Sequence, residues 1–262
     1  MSPVSKARTT RISVELVPRS VHSVASEVAT IREHLPHVDT VNVPDLMKFS
    51  LHSWDACALA RQVSAAPGCP AYRAIPHLRA QDLNPEAALP MARALDEAEI
   101  DEVLVITGDA PTGFSVRTYD VHTVDAITRL RRELPDLTIY AGLDPYRQAM
   151  VTELDYARRK LDAGAVGFFT QPFFDTALMQ TWSSLVSPDI PMWWGVTTVT
   201  SPGSHAYWRQ RNQVVFPSDF EPTLEWHRAL ARRAVDFARA REDNVYLMPV
   251  RVDVRSYLEG IV

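Results

Sequence analysis

The chain has 262 residues, 46% of them hydrophobic, with a formal net charge of −5 and two cysteines. That length buries one large core as a single domain, and so mild a charge gives no electrostatic case for nucleic acid. Cys57 and Cys69 are too few for a disulfide framework and lack zinc-ligand spacing; no apolar run approaches the roughly 18 residues of a membrane span, and residues 1–10 lack the apolar core of a secretion signal, so a cytoplasmic protein is expected.

Along the chain, short β-like runs alternate with helix-like segments. The strands are predicted at Ile12–Val17, Asp39–Val43, Tyr72–Leu78, Glu102–Thr107, Leu137–Gly142, Ala165–Thr170, Pro191–Val196 and Val245–Val250. Helices are predicted near Val24–Glu33, Trp54–Ala65, Pro85–Glu97, Val124–Glu133, Ala149–Asp162, Thr176–Val186, His205–Arg211 and Leu224–Arg241. Asn84 before Pro85 reads as an N-cap with proline at the first helical position. Trp226, Leu230, Ala234 and Phe237 form an apolar stripe at helical spacing, which reads as packing. Eight such repeats favour a (β/α)8 TIM barrel over an open sheet, one α/β domain over 1–262 with residues 1–10 a loose extension. No G-x-G-x-x-G follows any strand, so a Rossmann fingerprint is absent.

In a barrel, chemistry belongs at the C-terminal strand ends. Glu15 interrupts the first apolar run, Ser13-Val14-Glu15-Leu16-Val17-Pro18. An ionised, unpaired carboxylate there is costly; burial raises its pKa and suits it to proton donation near neutral pH. Pairing with an interior Arg is the other reading. His77, in Ile75-Pro76-His77-Leu78-Arg79, reads as a polar cap or a site residue. After the fourth strand, Thr107-Gly108-Asp109-Ala110-Pro111 places a carboxylate over the mouth or closes the loop as an Asx-turn. Ala165-Val166-Gly167-Phe168-Phe169 reads as a strand covered on both faces, with Thr170, Gln171 and Asp175 beyond its end. The eight histidines form no convincing ligand cluster, so no metal is expected, and there is no G-x-S-x-G.

The run Lys160–Asp175, KLDAGAVGFFTQPFFD, resembles the K-x-D-A-G-A-x-x-x-x-T-Q-x-F-F-D segment of the methylenetetrahydrofolate reductases. The first strand is similar to that family's S-F-E-F-F-P-P run, which implies that Glu15 is the general acid. The P-H-L run implies that His77 lies near the flavin, and the L-R-G-D-x-P run that Asp109 serves both catalysis and pterin binding, with Gln171 beside it. Lys160 matches a lysine near the flavin phosphates; it could equally meet a nicotinamide dinucleotide or be solvated. Thr170 belongs to the same set of cofactor contacts.

Three departures stand out. Thr107 replaces an Arg, Leu143 and Arg147 replace an aromatic and a histidine that help hold FAD, and Asn42-Val43-Pro44-Asp45-Leu46-Met47-Lys48 replaces a glycine-rich loop. Losing those glycines removes a close backbone approach for a bulky cofactor. Pro202 aligns with a phenylalanine that stacks on folate, and Tyr207 or Trp208 nearby could supply the ring, with Trp208 taken as the substrate contact. Arg251 would pair with folate carboxylates or sit on the surface.

The resemblance therefore implies reduction of 5,10-methylenetetrahydrofolate to the 5-methyl form. Glu15 would supply the proton and Asp109 would stabilise the cation. The hydride is expected directly from NADH or NADPH, NADH favoured, with FAD absent. An FAD-dependent reductase with a remodelled pocket and a non-catalytic folate-binding accessory protein are the alternatives. Folate is the expected partner, with no nucleic acid or membrane; a homo-oligomer is left open.

Overall fold

A computed structural model describes residues 9–65, 68, 70–108 and 118–262. Eight strands form a closed barrel in chain order: β1 (Ile12–Glu15), β2 (Thr40–Val43), β3 (Arg73–Arg79), β4 (Glu102–Ile106), β5 (Thr138–Leu143), β6 (Gly167–Thr170), β7 (Met192–Thr197) and β8 (Asn244–Met248). Every neighbouring pair is parallel, and β1 closes on β8 with Ser13 beside Tyr246. The expected TIM barrel is what the chain forms.

The helices are α1 (Val21–His34), α2 (Ser53–Ser64), α3 (Ala92–Glu97), α4 (Thr123–Glu133), α5 (Met150–Asp162), α6 (Thr176–Leu185), α7 (Pro202–Arg211), α8 (Leu224–Arg241) and α9 (Val254–Leu258). Both α7 and α8 lie between β7 and β8, and α9 after β8 was not foreseen. Within α8, Leu230 and Ala234 are buried while Trp226 and Phe237 pack at the core's edge, so the stripe is packing.

The helix expected from Pro85 starts only at Ala92. Asn84 accepts instead from the backbone of Glu86 at 3.0 Å, a local turn. Pro90 explains the difference: within a helix it lacks an N–H to donate, its ring clashes with the preceding turn, and it drives Leu89 away from helical geometry. A second departure is Val166, which is 40% exposed at the foot of β6; double coverage begins at Gly167. There a Cβ would lie 2.3 Å from the Pro191 carbonyl oxygen, so the close approach of β6 to the segment entering β7 requires glycine.

Period-two alternation sorts the strands into two cores. Outward residues such as Val14, Val41 and Leu247 pack against helices. Inward, Ile75, Leu104, Tyr140, Phe169, Trp193, Tyr246 and Met248 fill the barrel, with Phe169 and Trp193 stacked at 4.8 Å. Below them the Arg11 guanidinium lies 4.9 Å from the Trp193 ring and pairs with Glu102 at 2.8 Å. A paired charge and aromatic rings thus plug the floor, and the polar groups of the strand ends open the other way.

Candidate functional site

Glu15 ends β1 on the inward side, because Val14 and Leu16, its outward neighbours, are fully buried against helices. It is half-buried and faces the mouth of the barrel. Burial pushes its carboxyl up to about 7, opposed in part by the Asn42 amide. Among the described residues no ammonium or guanidinium pairs with it, so the alternative of an interior Arg partner does not hold.

Asn42, fully buried on β2, stands beside Glu15 in register. The Ser13 hydroxyl donates to Asn42 Oδ1 at 2.7 Å. Asn42 Nδ2 lies 3.1 Å from His77 Nε2 and 3.4 Å from Glu15 Oε2. Burial pushes the His77 imidazole down to about 3, so the ring is neutral near pH 7. Ser13 and Asn42 were missed in the sequence. The available signal was a polar residue at each inward position of otherwise apolar strands, where Asn is disfavoured.

Across the mouth, the Tyr246 hydroxyl donates to the Thr170 carbonyl. The Thr170 side-chain oxygen accepts from the backbone of Gly195 at 3.0 Å, so this hydroxyl ties β6 to β7. Gln171 lines the cavity just beyond, its own backbone donating to the Leu143 carbonyl at 2.8 Å.

On the β5 side, Lys160 is buried rather than solvated. Its Nζ donates to the Gly142 carbonyl at 2.6 Å and lies 3.5 Å from Glu153. Burial lowers the amine to about 8, with Glu153 acting in the opposite sense. Arg147 is half-exposed and pairs with Asp144 at 3.4 Å. Leu143 is buried, and the Thr107 hydroxyl shares a 3.0 Å hydrogen bond with Thr123.

These groups converge. Glu15, His77, Thr107, Leu143, Arg147, Lys160, Thr170, Gln171, Tyr207 and Trp208 all line one cavity of about 320 Å³ at the C-terminal mouth. Trp208 reaches it from α7, braced edge-on against Phe174 at 6.1 Å. Arg251 does not join them; it is exposed, in a left-handed turn with φ 59°. Asp109 lies outside the described residues. A hollow of about 510 Å³ opens at the opposite end, between the C-terminal ends of α3 and α4, where this architecture carries stability rather than chemistry. No group of three or more His, Cys, Asp or Glu side chains suited to a metal occurs among the described residues. No described helix is long and apolar enough to cross a membrane.

The chain is a closed (β/α)8 barrel whose polar strand-end groups gather around one cavity at its C-terminal mouth. Structural relatives bear out the fold alone. A 2,3-dimethylmalate lyase of the PEP mutase/isocitrate lyase superfamily superposes with TM-score 0.55 at 11% identity, over 93% of this chain and 74% of the lyase. An oxaloacetate acetylhydrolase gives TM-score 0.54 at 12% identity, over 92% of this chain and 75% of the hydrolase.

Residues 53–231 match the family described as methylenetetrahydrofolate reductase, and the chain belongs to that family. With membership comes oxidoreductase chemistry on a folate. The matched stretch runs from α2 into α8 and takes in His77, Lys160, Thr170, Gln171 and Trp208. Glu15 lies before it, so the reading of that residue stands on its geometry.

Proposed function

We propose that the protein reduces 5,10-methylenetetrahydrofolate to 5-methyltetrahydrofolate, taking hydride directly from NADH or NADPH. The observation that carries the reading is Glu15: a carboxyl at the mouth, raised to about 7 by burial, with no cation against it among the described residues. Such a group still holds its proton near neutrality and can release it to an amine.

The substrate's five-membered ring bridges two nitrogens through one carbon. Glu15 donates its proton to the nitrogen farther from the pterin, the bond from that nitrogen to the bridging carbon breaks, and an iminium forms on the other nitrogen. Hydride adds to the iminium carbon, giving the methyl group and the oxidised nicotinamide. One proton and one hydride are consumed, and Glu15 is left as the carboxylate. Gln171 and Trp208 line the same cavity; Gln171 would hydrogen-bond the pterin edge and Trp208 would supply a ring for stacking. Asp109 is proposed to stabilise the iminium.

Three features support the flavin-free half. Lys160, the cation that would meet a flavin diphosphate, already donates to Gly142 and faces Glu153. Arg147 carries its own counter-ion in Asp144. Pro44 and Leu46, from the loop after β2, line the cavity where a glycine turn would admit phosphates. These residues do not suit FAD, and the hydride donor must then meet the iminium carbon in a ternary complex.

The test is the visible spectrum of freshly purified protein, followed by initial-rate kinetics. A colourless protein whose double-reciprocal lines intersect, and whose rate is indifferent to added FAD, is expected. A yellow preparation with parallel lines would restore a flavin relay. Folate binding without any nicotinamide oxidation would instead make the protein a binder.

A further inference from the structure

The Asn42 carboxamide meets three side chains, one at its oxygen and two at its nitrogen. Its Oδ1 accepts from Ser13 at 2.7 Å, and its Nδ2 faces both His77 Nε2, at 3.1 Å, and Glu15 Oε2, at 3.4 Å. A carboxylate offers only lone pairs. Once Glu15 has given up its proton, the amide must therefore present Nδ2 to it. The neutral His77 ring then accepts at Nε2 and carries its hydrogen on Nδ1. Rotating the carboxamide by half a turn would set Oδ1 against the carboxylate and against the imidazole lone pair, two repulsive contacts for one group. Ser13 from β1 and His77 from β3 thus hold the β2 amide in a single orientation.

We propose that Asn42 is a positioning residue for the acid: its pinned carboxamide fixes the direction in which Glu15 faces the mouth and stabilises the carboxylate left after proton transfer. The inference rests on the reading of Glu15 as proton donor. The other titratable groups around Glu15 do not fill this role. The His77 imidazole and the Tyr246 phenol are neutral near pH 7. Asp144, Arg147 and Lys160 line the same cavity, where Asp144 pairs with Arg147 and Lys160 with Glu153. Among the described residues, Asn42 is the donor that reaches the Glu15 carboxyl. The contact is long, so the expected effect belongs at the modest end of hydrogen bonds to charged groups.

The experiment compares wild type, Asn42→Leu and the milder Ser13→Ala, which leaves Asn42 in place but removes one of its anchors. Two readouts are needed: kcat against pH at saturating substrates, and titration of the Glu15 carboxyl by carbon-13 NMR, assigned with Glu15→Gln. In Asn42→Leu the alkaline limb of kcat and the NMR titration should both move up, by about one pH unit. The plateau kcat should fall about tenfold with KM little changed, because orientation is lost rather than binding. Ser13→Ala should shift both curves the same way by less, and carries the test if Asn42→Leu does not fold. Wild-type limbs in the folded variants, or lost activity with no shift in either curve, would overturn the proposal. Failure of the underlying reading looks different: Glu15→Gln would turn over normally, whatever Asn42 does.

Discussion

The ring of Tyr246 lies where a side chain at position 195 would have to be. A Cβ on Gly195 would stand 2.6 Å from two carbons of that ring and 2.7 Å from its oxygen, well inside carbon–carbon contact distance. Glycine on β7 therefore lets the β8 phenol cross to the Thr170 carbonyl on β6.

Gly195→Ala should force that ring aside and destabilise the barrel by about 1–3 kcal/mol, the usual cost of overpacking. The displaced ring would crowd Glu15, so reductase activity should fall as well. A urea titration followed by tryptophan fluorescence, paired with activity of the folded fraction, checks both.

Glu15→Gln should abolish at least a hundredfold of the rate, the lower range for loss of a positioned acid, while circular dichroism stays that of wild type. In wild type, kcat should decline as pH rises through about 7, because the acid must carry its proton to act.

Stability should move with the same residue. A carboxyl raised in the folded state favours folding fully below its unfolded value of 4.5, and that advantage is lost as pH rises to about 7. Relative to Glu15→Gln, wild type should lose on the order of 3 kcal/mol across that window and then level off. Parallel pH profiles of denaturation for the two proteins would contradict the assignment.

Lys160 gives the opposite slope. Its buried ammonium leans on Glu153 at 3.5 Å. Removing one partner of a buried pair typically costs about 3–5 kcal/mol, so Glu153→Gln should unfold readily at pH 7. The deficit should shrink as pH rises toward 8 and level off above it, because without Glu153 the amine loses its proton below the wild-type value of about 8 and then needs no counter-ion. Melting temperatures of both proteins at pH 7 and pH 9 provide the comparison.

Much of this was legible in the sequence because a parallel barrel writes its strands as apolar runs with polar residues at one end. Glu15 stood out as a charge within such a run, and Lys160–Asp175 carried its own signature. Pro90 was legible too, yet the stronger-looking cap at Asn84 masked it. Asn42 and Ser13 were harder. Whether a polar residue in a four-residue strand faces a helix or the barrel axis depends on register with β1 and β3, which only closure of the sheet fixes. Arg251 was left open between a folate contact and a surface position; its left-handed φ of 59° turns the chain just after β8 and leaves it exposed and outside the cavity lining.

The plugged floor has a kinetic consequence. Arg11, Glu102 and Trp193 close the end of the barrel opposite Glu15, with Phe169 stacked on Trp193 toward the mouth. In the proposed reaction each turnover would strip Glu15 of its hydrogen, and with the floor closed the replacement would come through the same doorway that folate uses. On that reading, recharging the acid would wait until product has cleared the entrance, tying readiness for the next cycle to departure rather than to arrival.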